Sequence, residues 1–396
     1  MENRRINLLF IVNSVGIGGA ERHVITLLNK LDTARFRLSL AYLKKEDILN
    51  EGTLLPELDQ DRLEGRVFCC NVSSKVDLRA ARQLAKYICD DMADIVVCTN
   101  TYSLLYGWLA RIMAGRHPRL VEIFHTTEMG TKKSKLQMLF YRPFFRVCDM
   151  LVYVCEAQKK YWRSRMLRAK HDAVIHNGID VEHYVDHYTS EEKNLLRQSY
   201  GFSELDYVVG LCASMRPEKA HGDLLKAIAN LRVAGLDIKC LFIGDGSERL
   251  RIEEAIKTMG LAQHVKITGF LADARPAMAT CNVMALVSHH VETFSLAALE
   301  AMALGKPMIM SEIGGAAEQV IHGENGYLYK RGDIEALADA LHQLMESKKC
   351  CQMGDRARSM VTQRFSLATM VNSFDQLFVK LARSPDQVME VDNVIR

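Results

Sequence analysis

The sequence predicts an α/β protein of two doubly wound domains, and three observations carry that prediction. Short apolar runs alternate with longer helical patterns along almost all of the 396 residues. Most of those runs lack the in-and-out alternation of a half-exposed strand, as expected for parallel strands covered on both faces. The length exceeds what one core comfortably serves, so the alternation is shared between two domains, each with its own sheet.

In the first domain the strand candidates are 6–12, 38–43, 66–72, 95–100, 120–125, 150–155 and 173–176; in the second they are 207–213, 238–244, 265–270, 283–288, 307–311 and 326–329. Helical patterns such as 20–31, 78–92, 224–234, 248–259 and 334–345 fill the gaps. The polar, charge-rich stretch 183–206 marks the junction and sets domains of 1–185 and 186–370. Residues 371–396 complete a terminal helix and tail with no strand after it, available to pack back on the N-terminal domain. Ligands of open parallel sheets meet the carboxyl ends of the strands. The unusual clusters stand there: NSVGIGGAER, His125, SMRPEK, GDGSE, HHVETF and SEIGGAAE each follow a strand candidate. Two such rims facing each other make a cleft.

Apolar and charged contents of 48% and 25% are ordinary for a globular protein, and a net charge of +3 gives no bulk affinity for nucleic acid. Eleven cysteines, odd in number and without CxxC spacing, fit a reducing cytosol better than a disulfide framework. MENRR followed by 6–12 imitates a leader, but the apolar run is short and reads as a first strand. No apolar run approaches the roughly 18 residues of a membrane helix.

Gly16, Gly18 and Gly19 precede a helix, where backbone amides can meet an anion; a plain tight turn explains them equally well. A dinucleotide fingerprint fails, because Glu21 stands in the third glycine's place and Lys44 and Lys45 follow the second strand where an acid would hold ribose. Phosphate-loop, nucleophile-elbow and HExxH patterns are absent. Arg216 and Lys219 put two cations on one loop, suited to a diphosphate or merely solvated. Gly244, Asp245 and Gly246 read alone as a structural turn, His125 as a satisfied structural histidine, and His176, Asn177 and Gly178 as another turn.

ETFSLAALE, residues 292–300, poses a sharper problem. Ser295 or Thr293 caps a helix over 296–304 that Gly305 and Pro307 end. A helix apolar all round is a buried one, so Glu300 needs donors, from protein or ligand.

In order, GGAER, FHTTE, HNGID, RPEKAH, GDGSE, ETFSLAALE and GGAAEQVIHGENGYL resemble the family 4 retaining glycosyltransferases of GT-B fold, over about residues 7–385. That resemblance implies two Rossmann-like domains with a cleft between them, acceptor side first, and a nucleotide-sugar donor in the second. It implies that Glu300 holds ribose hydroxyls, Glu292 the transferred sugar's hydroxyls, and the amides of Phe294, Ser295 and Leu296 the sugar and diphosphate. Arg216 and Lys219 would neutralise the leaving diphosphate, Gly18 and Gly19 would approach it from the first domain, and His125 would lie near sugar and acceptor. Gly244, Asp245 and Gly246 go with the donor-binding set. Two departures stand out: Ser214 holds the usual arginine place, with Arg216 two residues later, and Ser295 replaces a frequent glycine.

The implied reaction moves a hexose or N-acetylhexosamine from a UDP-sugar to a saccharide acceptor, with retention and with no metal or other cofactor, in cell-surface polysaccharide or glycolipid synthesis. Retention through a covalent intermediate needs a carboxylate beside the anomeric carbon, and no candidate is placed for it, which favours front-face attack. Domain closure would expel water. Residues 131–170 hold eleven Lys and Arg against Asp149 and Glu156, interleaved with aromatics, as suits an anionic membrane surface or a solvated face over core aromatics. On the first reading a cytoplasmic enzyme works peripherally on the inner membrane face with a lipid-linked acceptor. A nucleotide-sugar epimerase of similar fold and a non-catalytic nucleotide-sugar binding subunit are the alternatives.

Overall fold

The structure, a computed structural model, describes residues 4–45, 52–64, 66–127, 132–290, 292–346 and 350–383, the side chain of Lys132 excepted. Contacts divide the chain into two compact units, one running to Asn177 and resuming at Thr369, the other Gly178–Ala368.

The first unit holds seven parallel strands: β1 (Ile6–Val12), β2 (Phe36–Tyr42), β3 (Val67–Cys69), β4 (Ile95–Thr99), β5 (Arg119–Phe124), β6 (Met150–Tyr153) and β7 (His171–Val174). Their spatial order is β3-β2-β1-β4-β5-β6-β7, so the winding direction reverses between β1 and β4. Leu9, Ile11, Val96, Cys98 and Leu120 pack from this sheet into one core with Leu84, Ile88, Leu104 and Phe145 of the flanking helices. The expected strand 95–100 stops at Thr99 because Asn100 takes φ +69 and opens the helix Asn100–Ala114.

The terminal helix, Leu367–Arg383, belongs to this unit from Thr369 onward. Its Phe374 and Phe378 are wholly buried, and Phe378 meets Phe10 and Phe36 edge to face at 6.2 Å. Burying aromatic rings of that size anchors the helix to β1 and β2.

The second unit repeats the plan with six parallel strands: β8 (Tyr207–Cys212), β9 (Ile238–Ile243), β10 (Val265–Ile267), β11 (Val283–Leu286), β12 (Met308–Ser311) and β13 (Gly326–Tyr329). The order β10-β9-β8-β11-β12-β13 places the reversal between β8 and β11.

Two expectations need correction. The division falls after Asn177, ahead of the expected 185, and the second unit ends at Ala368. The stretch 183–206, read as a polar junction, contains the helix Ser190–Ser199 inside the second unit. Thr189 and Glu192 form a full capping box there, the reciprocal bond pattern that lets a polar segment start a helix. Arg197 then fixes it to the base of the sheet through the Thr280 carbonyl at 2.8 Å and Asn282 Oδ1 at 2.9 Å.

Candidate functional site

The loops after β8 and β11 flank the reversal in the second sheet, the place where open sheets gather ligands. Lys219 comes from the first loop and Glu292 from the second, and Lys219 Nζ lies 2.5 Å from Glu292 Oε2. Ser288 Oγ donates to the same oxygen at 3.3 Å. Both charged side chains are largely buried, at 19% and 13% exposure, so the attraction is screened far less than at a surface. Among the described residues no protein donor meets Oε1 of Glu292.

Backbone contacts hold the two loops in place. Met215 N donates to Asp245 O at 2.9 Å, and Glu248 N to Met215 O at 2.9 Å. Gly244 has φ +138, and a Cβ there would strike the Ala213 carbonyl; at Gly246 a Cβ would sit 2.5 Å from Met215 O. These glycines let the GDGSE turn press against the loop that carries Lys219. Asp245 bonds its own turn at Gly246 N (2.8 Å) and pairs with Arg249 (2.7 Å), which holds its carboxyl below the ordinary aspartate range. From the other side, His289 N donates to Glu218 O at 2.8 Å while its ring Nε2 meets Asp223 Oδ2 at 2.5 Å. Arg216 is exposed and, among the described residues, pairs with no carboxylate. Its guanidinium is therefore available, but it is not part of the Lys219–Glu292 pair.

The helix Leu296–Ala303 corrects two readings. It is not apolar and buried all round: Ala298, Leu299, Ala301, Met302 and Ala303 face inward, while Leu296, Ala297 and Glu300 form a half-exposed face. Glu300 thus does not sit in a greasy interior. It stands beside Cys212 at the end of β8, and the Cys212 thiol is pushed up to about 12 by burial first and the Glu300 charge second. The Ser295 amide does not point at open space either. It donates to Gln319 Oε1 at 3.2 Å, Gln319 Nε2 returns a bond to Ser295 O at 2.8 Å, and Ser295 Oγ caps Ala298 N at 3.2 Å. Phe294 turns its ring onto Phe365 at 5.1 Å. The first-turn amides of Leu296 and Ala297 are the ones left by helix geometry to meet a ligand.

In the first unit His125 follows β5, its amide donating to Asn100 Oδ1 at 3.3 Å. Its ring packs edge to face on His23 at 5.0 Å, and His23 Nδ1 meets Asn177 Oδ1 at 3.0 Å. Burial lowers His23 to about 4; burial first, and His23 second, hold His125 well below the ordinary range. Both rings are neutral at physiological pH. Gly18 is the N-cap of the helix Gly19–Lys30, but Glu21, three residues on, lays its carboxylate over that end, where a Cβ on Gly18 would meet it. Negative charge thus already lies at this helix start. A Cβ on Gly19 would meet nothing within 4 Å.

Comparison with known proteins decides the family. Glycosyltransferase Family 4 matches residues 17–183 and Glycosyl transferases group 1 matches 192–360. The chain is a family 4 glycosyltransferase. It is 27% identical over 312 residues to N-acetyl-alpha-D-glucosaminyl L-malate synthase of Bacillus anthracis, covering 78% of this chain and 80% of that one. Identity is again 27%, over 64% of this chain and 68% of the relative, to a GDP-mannose-dependent alpha-(1-6)-phosphatidylinositol monomannoside mannosyltransferase of Mycolicibacterium smegmatis. Among solved structures, Anabaena Alr3699/HepE in complex with UDP superposes with a TM-score of 0.82 at 23% identity, over 95% of this chain and 100% of that one. The fold is therefore α/β of the GT-B class, as expected.

In this glycosyltransferase the structure brings together Lys219, Glu292, Gly244 and Gly246 around one switch point, with Glu300 on the adjoining helix. Sequence reasoning missed His23, Asn100, Gln319 and the Asp223–His289 pair. Only His23 left a local trace, one helical turn beyond Gly19 on the same helix. Among the described residues no helix is long and apolar enough to cross a membrane, and no three His, Cys, Asp or Glu side chains cluster as metal ligands.

Proposed function

We propose that this glycosyltransferase moves a hexose or N-acetylhexosamine from a UDP-sugar to a lipid-linked saccharide on the inner membrane face, in cell-surface polysaccharide or glycolipid synthesis, retaining the anomeric configuration without a metal. The Lys219–Glu292 pair at the switch point of the second sheet carries the reading. Lys219 supplies the positive charge that a departing diphosphate needs, in a site dry enough for that charge to count. Glu292 keeps one oxygen for Lys219 and offers the other to sugar hydroxyls. Glu300, half-exposed at the end of β8, takes the ribose hydroxyls. UDP is favoured as leaving group by the UDP complex of Anabaena Alr3699/HepE.

With Glu292 engaged in this way, no candidate carboxylate remains as a nucleophile, and the acceptor attacks on the face the diphosphate leaves. The departing phosphate oxygen receives the acceptor's proton. A covalent glycosyl-enzyme trapped from a slow donor would overturn that route. The donor assignment is tested by a thermal-shift screen with UDP-, GDP- and ADP-sugars on the parent and on Glu300→Ala. One nucleotide class should raise the midpoint in the parent, and most of that shift should vanish in the variant. Equal shifts in both proteins would remove Glu300 from the site.

A further inference from the structure

The helix Lys132–Arg146 turns large apolar side chains outward. Met138, Tyr141 and Phe145 are its buried positions, while Leu136, Leu139 and Phe140 are 70%, 58% and 57% exposed at helical spacing on another face. Lys133, Lys135 and Arg146, all exposed, flank that stripe. Apolar groups lined up in water between cations suit an anionic amphiphile.

Beside the stripe lies a cavity of ≈ 390 Å³. Lys135, Met138, Leu139 and Arg142 line one side, and Trp162 and Arg165, from the helix Glu156–Ser164 and the residue after it, line the other. Leu139 belongs to both features, so the cavity opens along the apolar stripe. Arg142 donates to the Arg165 carbonyl at 2.7 Å, and the Arg165 guanidinium lies 3.6 Å from the Tyr161 ring centroid. Neighbouring cations are already neutralised: Lys159 and Arg163 pair with Asp172, and Lys170 with Asp149. Among the described residues Lys135, Arg142 and Arg165 pair with no carboxylate. Three such cations over an apolar wall match a headgroup of two or more negative charges on a hydrocarbon chain better than a singly charged diester.

The cavity is also fixed to the loop that carries His125. Trp162 Nε1 donates to Thr126 O at 2.7 Å, and Gln158 Nε2 donates to Phe124 O at 2.6 Å and Thr126 O at 3.0 Å. We propose that the cavity binds the phosphate or diphosphate that joins the acceptor saccharide to a polyprenyl-type lipid, with the lipid chain lying along Leu136, Leu139 and Phe140. This deepens the lipid-linked acceptor reading and rests on it.

Flotation of the full chain tests the site, using phosphatidylcholine vesicles doped with polyprenyl phosphate or with phosphatidylglycerol at equal surface charge. The parent should bind the polyprenyl phosphate vesicles about tenfold more tightly, the worth of one good charge-assisted contact. Arg142→Gln with Arg165→Gln should abolish that preference, while Arg82→Gln with Arg168→Gln, an equal loss of exposed charge away from both cavity and stripe, should keep it. Inorganic phosphate should compete only weakly, since it lacks the chain. No preference in the parent, or equal losses in both double variants, overturns the cavity as a phosphate site. UDP binding in the same samples and transfer to a water-soluble saccharide are read separately. A chain that binds UDP and glycosylates lipid-linked acceptor but shows no preference refutes the cavity alone; one that uses only the soluble saccharide refutes the lipid-linked reading.

Discussion

At the reversal of the second sheet a lysine and a glutamate pair at 2.5 Å on two loops stitched by backbone bonds, whereas near that of the first two neutral histidines pack edge to face at 5.0 Å. The first arrangement concentrates charge, as the proposed binding and release of a diphosphate requires. The second offers uncharged rings, with the His23 ring bonded to Asn177 and the His125 backbone amide bonded to Asn100, that can meet hydroxyl groups without a cost in buried charge. The same doubly wound plan thus yields one rim built for electrostatics and one for neutral hydrogen bonding.

The largest expected effect breaks the charged rim. Glu292→Ala leaves Lys219 without its partner and removes the proposed sugar contact, so kcat/KM should fall about 10²-fold or more while UDP affinity changes little. A parallel loss of UDP affinity, measured by calorimetry, would mean that Glu292 organises the nucleotide site instead of the sugar. Next comes the scaffold under that rim. Gly244→Ala forces a side chain into φ +138 and against the Ala213 carbonyl, and should cost about 2 kcal/mol, a fall of several degrees in the thermal midpoint. An unchanged midpoint would show that the two loops separate easily.

The smallest effect probes the neutral unit. Glu122 lies wholly buried on β5 opposite Cys98 and Leu151, and among the described residues neither carboxyl oxygen has a hydrogen bond of ordinary geometry. Burial holds its pKa well above the ordinary range, outweighing the pull of the nearby Asn100 amide. Folding therefore favours its protonated form: this group's contribution to stability is greatest below the unfolded value of about 4.3 and is lost as pH rises from there toward the folded pKa. Glu122→Gln should match the parent at about pH 4 and exceed it at about pH 8, read as urea midpoints. A difference that does not grow with pH would mean that the carboxylate finds a partner when ionised.

The contrast also explains what the sequence could disclose. All thirteen strands among the described residues overlap expected runs, most because parallel strands buried on both faces are continuous apolar segments; β7, with exposed His171, starts two residues ahead of its expected run. The charged rim was legible because its parts, RPEKAH, GDGSE and ETFSLAALE, are local motifs that each follow a strand. The histidine cluster was not, since His23, Asn100, His125 and Asn177 meet only after β1, β4, β5 and β7 are laid side by side. Glu300 was found for a reason the structure removes. Composition marked its helix as buried, yet the half-exposed face of Leu296, Ala297 and Glu300 depends on where the neighbouring strands end. The Ser295 amide was misjudged likewise, because Gln319 arrives from a helix beyond β12.

The central claim is that Lys219 serves a diphosphate. Titration calorimetry of UDP and of uridine against the parent and Lys219→Met addresses it most directly. The account predicts that the parent prefers UDP and that the variant narrows this gap about tenfold or more with uridine binding intact. A preference for UDP that survives the substitution unchanged would contradict it.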